Sequence, residues 1–252
     1  MRGKIYFIGG GPGDPGLMTV KGMEILGRAS LVLAPGHFRD SYSECLKGKE
    51  CLDPFDLHHK ELTAKIDSYL DRGETAVFLV PGDLAIFSPV QSLIDYFGPA
   101  AEVIPGVSAL NAASAVLKKT FDLPGISHST IATSPKTITG SPDTIGALSK
   151  HRSTMVLFMN NKKVEDLVSE LEEGYPPDTP VAVIYLISMP GQEVILSTLE
   201  KLKAVVDERF ADEDEFKLVV VGGVLAASED PSWWDKRKDN RDARHAEKKR
   251  NG

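Results

Sequence analysis

The residues with the clearest chemical promise sit where apolar runs stop. Phe78-Leu79-Val80 leads directly into Pro81-Gly82-Asp83. A buried parallel strand ends in this way at its carboxyl edge, outside which the ligands of open α/β sheets are held. Gly82 lets a ligand approach the backbone, and Asp83 offers acceptors to a hydroxyl or ammonium. The loop reads as the floor of a cofactor site, with an ordinary strand-to-helix turn as the plainer alternative. Pro105-Gly106-Val107-Ser108-Ala109 is a second strand-end loop, in which Ser108 is placed to cap the following helix. Gly11-Pro12-Gly13-Asp14-Pro15-Gly16 fits G-x-G-x-x-G after a strand, but Pro12 and Pro15 remove backbone donors that a dinucleotide needs. Ala34-Pro35 also stands where an acidic residue would grip a ribose, so a nicotinamide-dependent oxidoreductase is disfavoured. Ser88 and Ser108 lie outside any G-x-S-x-G elbow. His58 and His59 are adjacent and diverge on a regular element, so no metal site is expected. A chemistry that needs no protein nucleophile is expected, and no catalytic residue is assigned.

Composition narrows the classes further. The chain has 252 residues, 42% hydrophobic and 26% charged, as in an ordinary soluble globular protein with one large or two smaller domains. Its longest apolar runs fall far short of the roughly 18 residues of a membrane span. The amino-terminal stretch lacks the apolar segment of a signal peptide. Cys45 and Cys51 form neither a disulfide framework nor a zinc motif. A cytoplasmic protein that binds neither membrane nor nucleic acid is expected, the net charge of −7 arguing against a general nucleic-acid binder. The charge is uneven: residues 235–252 hold eight Lys/Arg and four Asp/Glu, so this tail is +4 and the remainder −11. The tail has no apolar periodicity and reads as disordered.

These loops require strands and helices to present them. Strands are expected over 4–8, 30–34, 76–80 and 101–104, with helices over about 20–28, 60–72, 90–96 and 109–117, an alternation that predicts a parallel doubly wound sheet. After a boundary near 117–121 the pattern changes. Phe121 to Thr133 reads as loop and strand, and Pro135 to Pro142 as a mobile connection able to cover a cleft. Strands are expected over 155–159, 181–187, 193–198 and 218–222, with helices over 164–172 and 199–209. Two α/β halves with a cleft between them follow, divided as 1–118, 119–234 and the tail 235–252.

The motifs in order carry a resemblance. The opening Tyr6-Phe7-Ile8-Gly9-Gly10-Gly11-Pro12-Gly13-Asp14-Pro15-Gly16-Leu17-Met18-Thr19, then Pro81-Gly82-Asp83, then Pro105-Gly106-Val107-Ser108-Ala109, then Gly174-Tyr175-Pro176-Pro177-Asp178-Thr179-Pro180 resemble the blocks of the tetrapyrrole (corrin/porphyrin) methyltransferases. So does the ending, a valine strand with Trp233-Trp234 shortly after, so that the likeness covers residues 4–234. Phe121-Asp122-Leu123-Pro124 and the Tyr-Pro-Pro-Asp-Thr-Pro run are most similar to the precorrin-4 C-11 methyltransferases within that family.

The resemblance implies a tetrapyrrole methylase (class III methyltransferase) fold of two α/β domains, S-adenosyl-L-methionine bound in the cleft between them, a precorrin substrate of cobalamin biosynthesis, and a homodimer. It implies cofactor contacts at Pro81, Gly82, Asp83, Ile86, Ser108, Ala109 and Met159, further contacts at Leu186, Ile187, Lys217 and Leu218, and Pro12 beside the active cleft. The alternatives it leaves are another tetrapyrrole, either a different precorrin or uroporphyrinogen III, and a non-catalytic cofactor-binding relative. Leu84, Phe87-Ser88 and Leu33-Ala34-Pro35-Gly36-His37-Phe38 depart from the usual pattern on the substrate side. Arg39, Lys118, Lys119 and Lys136 are candidate partners for substrate carboxylates, and surface charges otherwise.

Overall fold

The computed structural model describes residues 2–138, 143–212, 215–228 and 230–250. The first half is a parallel sheet of β1 (Ile5–Gly9), β2 (Leu31–Leu33), β3 (Glu50–Leu52), β4 (Ala76–Val80) and β5 (Ala101–Ile104), in the order β3-β2-β4-β1-β5. Every residue of β4 is buried, as the uninterrupted apolar run demands of a central strand covered on both faces. The side chains divide with a period of two. Ile5, Phe7, Phe78 and Val80 face helices α4 (His59–Leu70) and α5 (Gln91–Phe97), while Ile8, Val32, Val77 and Leu79 face α1 (Val20–Gly27), α2 (Gly36–Ser41) and α3 (Ser43–Leu46). Thr19 caps α1 through its hydroxyl on the Gly22 N–H at 3.2 Å. From β1 the chain crosses β4 to reach β2, and from β4 it crosses β1 to reach β5. Neighbouring strands β1 and β4 thus lead in opposite directions, which leaves a crevice outside their carboxyl ends.

The second sheet is mixed: β6 (Thr130–Thr133), β7 (Thr154–Phe158), β8 (Pro180–Tyr185), β9 (Glu193–Thr198) and β10 (Lys217–Val221), in the order β6-β7-β10-β8-β9. β10 runs antiparallel to both β7 and β8, pairing Leu218 with Phe158 and Lys217 with Tyr185. The start of β10 therefore lies beside the ends of β7 and β8, and one edge of the sheet collects Met159, Leu186 and Lys217. One face carries α7 (Ile145–Ser149), α8 (Val164–Leu171) and α9 (Leu199–Val205), around a core that includes Leu157, Leu167, Leu202 and Val219. The opposite face receives α6 (Ala109–Leu117), whose Ala112 and Ala113 pack against Val156, Ala182, Ile184 and Val220. α6 follows β5 of the first sheet in the chain yet buries itself on the second, so it ties the halves together. Its small side chains allow that close approach.

Several elements differ from the sequence reading. Helices α2 and α3, the edge strand β3 and the short α7 are additional. β3 has three residues, none fully buried, too short and too polar for a periodic signal. β8 stops at Tyr185 rather than Ile187, because Leu186 and Ser188 adopt left-handed backbone with φ of 48° and 60°. The predicted helix 199–209 ends at Val205. The tail, expected to be unstructured, is instead a helix, α10 (Ser232–Arg250). Its lysines, arginines and alanines favour helix intrinsically, without an apolar stripe to announce it. Residues 139–142 of the expected cover and 251–252 of the tail lie outside the described residues. Among the described residues no helix is long and apolar enough to cross a membrane, and no cluster of metal-ligating side chains occurs.

Candidate functional site

At the crevice, the loops after β1, β4 and β5 are laced together through backbone. The Gly10 N–H donates to the Val80 carbonyl at 2.8 Å. Gly11 and Gly82 exchange a pair of bonds, at 3.1 Å and 2.8 Å, like a last rung of sheet. Gly82 has φ of 69°, a conformation that favours glycine. A Cβ on Gly106 would lie 2.4 Å from the Gly82 carbonyl oxygen and 2.5 Å from that of Gly9, so only a glycine fits where the three loops meet. Asp83 closes the arrangement. Its Oδ2 accepts from the Gly106 N–H at 2.7 Å and its Oδ1 from the Ala85 N–H at 2.9 Å. The carboxylate read as a ligand acceptor thus joins the β4 loop to the β5 loop. Beneath them, the buried Tyr42 hydroxyl donates to the Gly10 carbonyl, and the Phe38 ring, stacked on Tyr42 at 5.5 Å, fills the place a Gly10 side chain would take. Burial pushes the Tyr42 phenol far above its ordinary value.

Ser108 caps α6 through its hydroxyl on the Leu110 N–H. Ser108 Cα and Ala109 N stand 3.7 and 3.8 Å from where a Gly82 side chain would begin. The amino end of α6 therefore opens onto the Gly82 loop, with the positive end of its dipole and its free N–H groups there.

The facing wall is the collected edge of the second sheet. Met159 and Leu186 follow β7 and β8 in left-handed backbone, with φ of 49° and 48°. Leu186 N–H donates to the Phe216 carbonyl at 2.8 Å, just before β10. Lys217 is 8% exposed, and its ammonium turns into the carbonyl of Asp212 and, at 3.5 Å, that of Glu215; burial lowers its pKa. Ile187 and Leu218 point into the core against α6. Lys217, Ile187 and Leu218 can therefore offer a ligand backbone rather than side chain, whereas Met159 is 38% exposed at the cleft edge.

The two walls touch at defined points. The Asp14 N–H donates to Ser188 Oγ at 3.1 Å. Gly13 lies against Met189, where an added Cβ would fall 2.3 Å from Met189 Cγ. The Phe87 and Phe158 rings meet with centroids 5.3 Å apart. Pro12, Gly82, Asp83, Ile86, Ser108 and Ala109 thus belong to one wall, and Met159, Leu186 and Lys217 to the other. Pro81 is exposed at the rim. Sequence reasoning missed Tyr42, Phe158, Ser188 and Met189, which carry no motif; Phe87 and Ser88 were visible as departures from the family pattern.

A cavity of about 330 Å³ lies outside this cleft, between the β4 loop, α5 and β5, lined by Leu84, Ala85, Ser88, Ile94, Val103 and Pro105 among others. It shares Asp83 alone with the candidate cofactor residues. Of the candidate cations, Arg39 sits on α2, beyond β2, and pairs with Asp53 at 3.2 Å. Lys118 and Lys119 follow the far end of α6, about 13 Å from Ser108 at 1.5 Å per residue. Lys119 is bound to the Ala227 carbonyl. α6 therefore does not bring these two lysines to the crevice.

Comparison with known proteins agrees with this architecture. The family model described as tetrapyrrole (corrin/porphyrin) methylases matches residues 4–203. A cobalt-precorrin-4 C(11)-methyltransferase of Methanocaldococcus jannaschii is 32% identical over 232 residues, covering 88% of each chain. The X-ray structure of a cobalt precorrin-4 methyltransferase, described as a cobalamin biosynthetic enzyme, superposes with a TM-score of 0.80 at 27% identity, over 88% of this chain and 95% of that one. A uroporphyrin-III C-methyl transferase of Thermus thermophilus, solved with S-adenosylhomocysteine, shares the fold with a TM-score of 0.69 at 23% identity, over 89% of this chain and 99% of that one.

Proposed function

The chain belongs to the tetrapyrrole (corrin/porphyrin) methylase family, and on that premise we propose that it is an S-adenosylmethionine-dependent C-methyltransferase. It methylates precorrin-4, or its cobalt form, at C-11 in cobalamin biosynthesis. The observation that carries the reading is the cleft itself. Backbone loops after β1, β4 and β5 face the ends of β7 and β8 and the start of β10, at the switch point of a parallel sheet. The likeness to precorrin-4 methyltransferases at 32% identity in sequence and a TM-score of 0.80 in structure selects the substrate.

The residues fit the cofactor. The amino end of α6 beside Ser108 and Ala109 suits a carboxylate. The exposed Met159 and half-buried Ile86 suit a flat apolar base. Gly82 leaves the loop surface free of a side chain. S-adenosylmethionine supplies, when bound, a methyl group already activated on a sulfonium. The chain's own work is then to hold donor and acceptor in line and exclude water, chemistry that asks for no nucleophile from the chain. The reading places the enzyme in the cytoplasm as a homodimer.

Isothermal titration calorimetry with S-adenosylhomocysteine tests the cofactor, and turnover of precorrin-4 followed by mass spectrometry tests the substrate. Micromolar binding at one per chain with a gain of one methyl supports the whole reading. Binding without turnover on precorrin-4 moves the substrate to another precorrin or to uroporphyrinogen III. Failure of a folded sample to bind refutes the cofactor.

A further inference from the structure

The strain in the cleft backbone is concentrated. Phe87, Met159, Leu186 and Ser188 all take positive φ, between 48° and 60°, and all lie where the two walls face each other. For a residue as bulky as phenylalanine this backbone is an outlier, tolerated where the surroundings overrule it. Core burial does not explain Phe87, which remains 41% exposed. What the strained turn achieves is to lay the Phe87 ring on Phe158, tilted by 53° with centroids 5.3 Å apart. Phe87 comes from the loop after β4 and Phe158 is the last residue of β7, so the ring pair joins one half of the molecule to the other. Each ring directly adjoins a proposed cofactor contact, Ile86 before Phe87 and Met159 after Phe158. The walls also meet where Gly13 and Asp14 lie against Met189 and Ser188, but there the first wall contributes backbone, whereas Phe87 and Phe158 meet ring to ring.

We propose that Phe87 is a positioning residue that clasps the two walls of the cleft. With its ring seated on Phe158, the spacing between Ile86 and Met159 is held at the width that an adenosyl ligand must match, and the ligand is retained by the closed clasp. The inference rests on the cofactor reading above and adds to it the residue that sets residence time. Because the contact joins the loop after β4 to the end of β7 across the cleft, its loss acts on release more than on capture.

The test measures S-adenosylhomocysteine binding to the full chain by surface plasmon resonance, alongside steady-state turnover and thermal melting. Phe87→Ala and Phe158→Ala are each expected to raise Kd about tenfold, almost wholly through a faster off-rate. The double variant should be little worse than the weaker single one, since both remove one contact. Phe87→Tyr keeps the ring and should restore affinity to within about twofold. In turnover the loss should fall on KM for the cofactor rather than on kcat. Phe87→Gly removes the ring and relieves the left-handed strain, so it should melt at or above Phe87→Ala while binding as weakly. That pair separates positioning from stability even if Phe87→Ala folds poorly. Wild-type affinity and off-rate in Phe87→Gly, or strictly additive losses in the double variant, overturn the clasp. A wild-type chain that fails to bind removes the cofactor reading and the clasp with it.

Discussion

Replacing Asp83 by alanine tests how the crevice is held together. The carboxylate accepts from Gly106 N–H at 2.7 Å and from Ala85 N–H at 2.9 Å. A hydrogen bond to a charged acceptor contributes about 1.5–3 kcal/mol when buried. Asp83 is half-exposed, so water replaces part of the loss, and about 2 kcal/mol for the two bonds together is the reasonable sum. For a domain of this size each kcal/mol lowers the melting temperature by about 2–4 °C, so Asp83→Ala should melt about 4–8 °C lower. The functional effect should be larger than the stability effect. Freed from Gly106, the β4 loop no longer presents Gly82 and Ile86 against Ser108, and a ligand must reorder it on binding. A loss of S-adenosylhomocysteine affinity of at least about tenfold is expected. Asp83→Asn keeps one carboxamide oxygen but turns its NH₂ toward a backbone donor, so it should fall between wild type and alanine. Differential scanning fluorimetry and calorimetry on the same samples read both effects. Unchanged melting together with unchanged affinity would refute the account of Asp83 as the tie between the loops.

Gly106→Ala places a Cβ against the Gly82 and Gly9 backbone at 2.4–2.5 Å, and overpacking of this kind should destabilise by about 1–3 kcal/mol while weakening ligand binding; wild-type behaviour in both assays would show that the loops can separate freely. Tyr42 and Tyr175 are held well above the ordinary phenol range, and Tyr185 is pushed up to about 12, in each case chiefly by burial. The folded state keeps these protons above pH 10 where the unfolded chain releases them, so their contribution is complete below about pH 10 and is lost as pH rises toward the folded values. Alkaline denaturation monitored by tyrosinate absorbance should show those phenols ionising only as the chain unfolds, and Tyr42→Phe should flatten the fall of stability with pH; early ionisation of all tyrosines contradicts the burial. Deleting 235–252 removes most of α10, whose side chains over 235–244 are exposed, and should leave melting and ligand affinity as they were, a shift in either marking the helix as part of the working unit.

The reach of the sequence differs between the two sheets. In the first, the apolar runs Ile5–Gly9 and Ala76–Val80 are buried on both faces, so hydrophobicity, the following glycines and the caps Thr19 and Ser108 announce their elements locally. β3 and α2 were illegible because half-buried edge elements carry no strong period. At the site, Pro81-Gly82-Asp83 and Pro105–Ala109 were legible as loops, while the use of Asp83 as an internal tie was not: its partner Gly106 lies far along the chain and bonds through backbone, which has no sequence signature.

By itself the sequence determined that strands end in glycine-rich loops and that the ordered blocks belong to one methyltransferase family. These are local properties, carried by residue type and short spacing. Only the tertiary structure decided which loops meet: that β1 and β4 are neighbours leading opposite ways, that an antiparallel β10 brings Lys217 beside Leu186 and Met159, and that Phe87 reaches Phe158 through a strained turn. Strand order and direction are set by how the core of each sheet closes against its helices, a balance over many distant contacts that no short stretch of chain encodes.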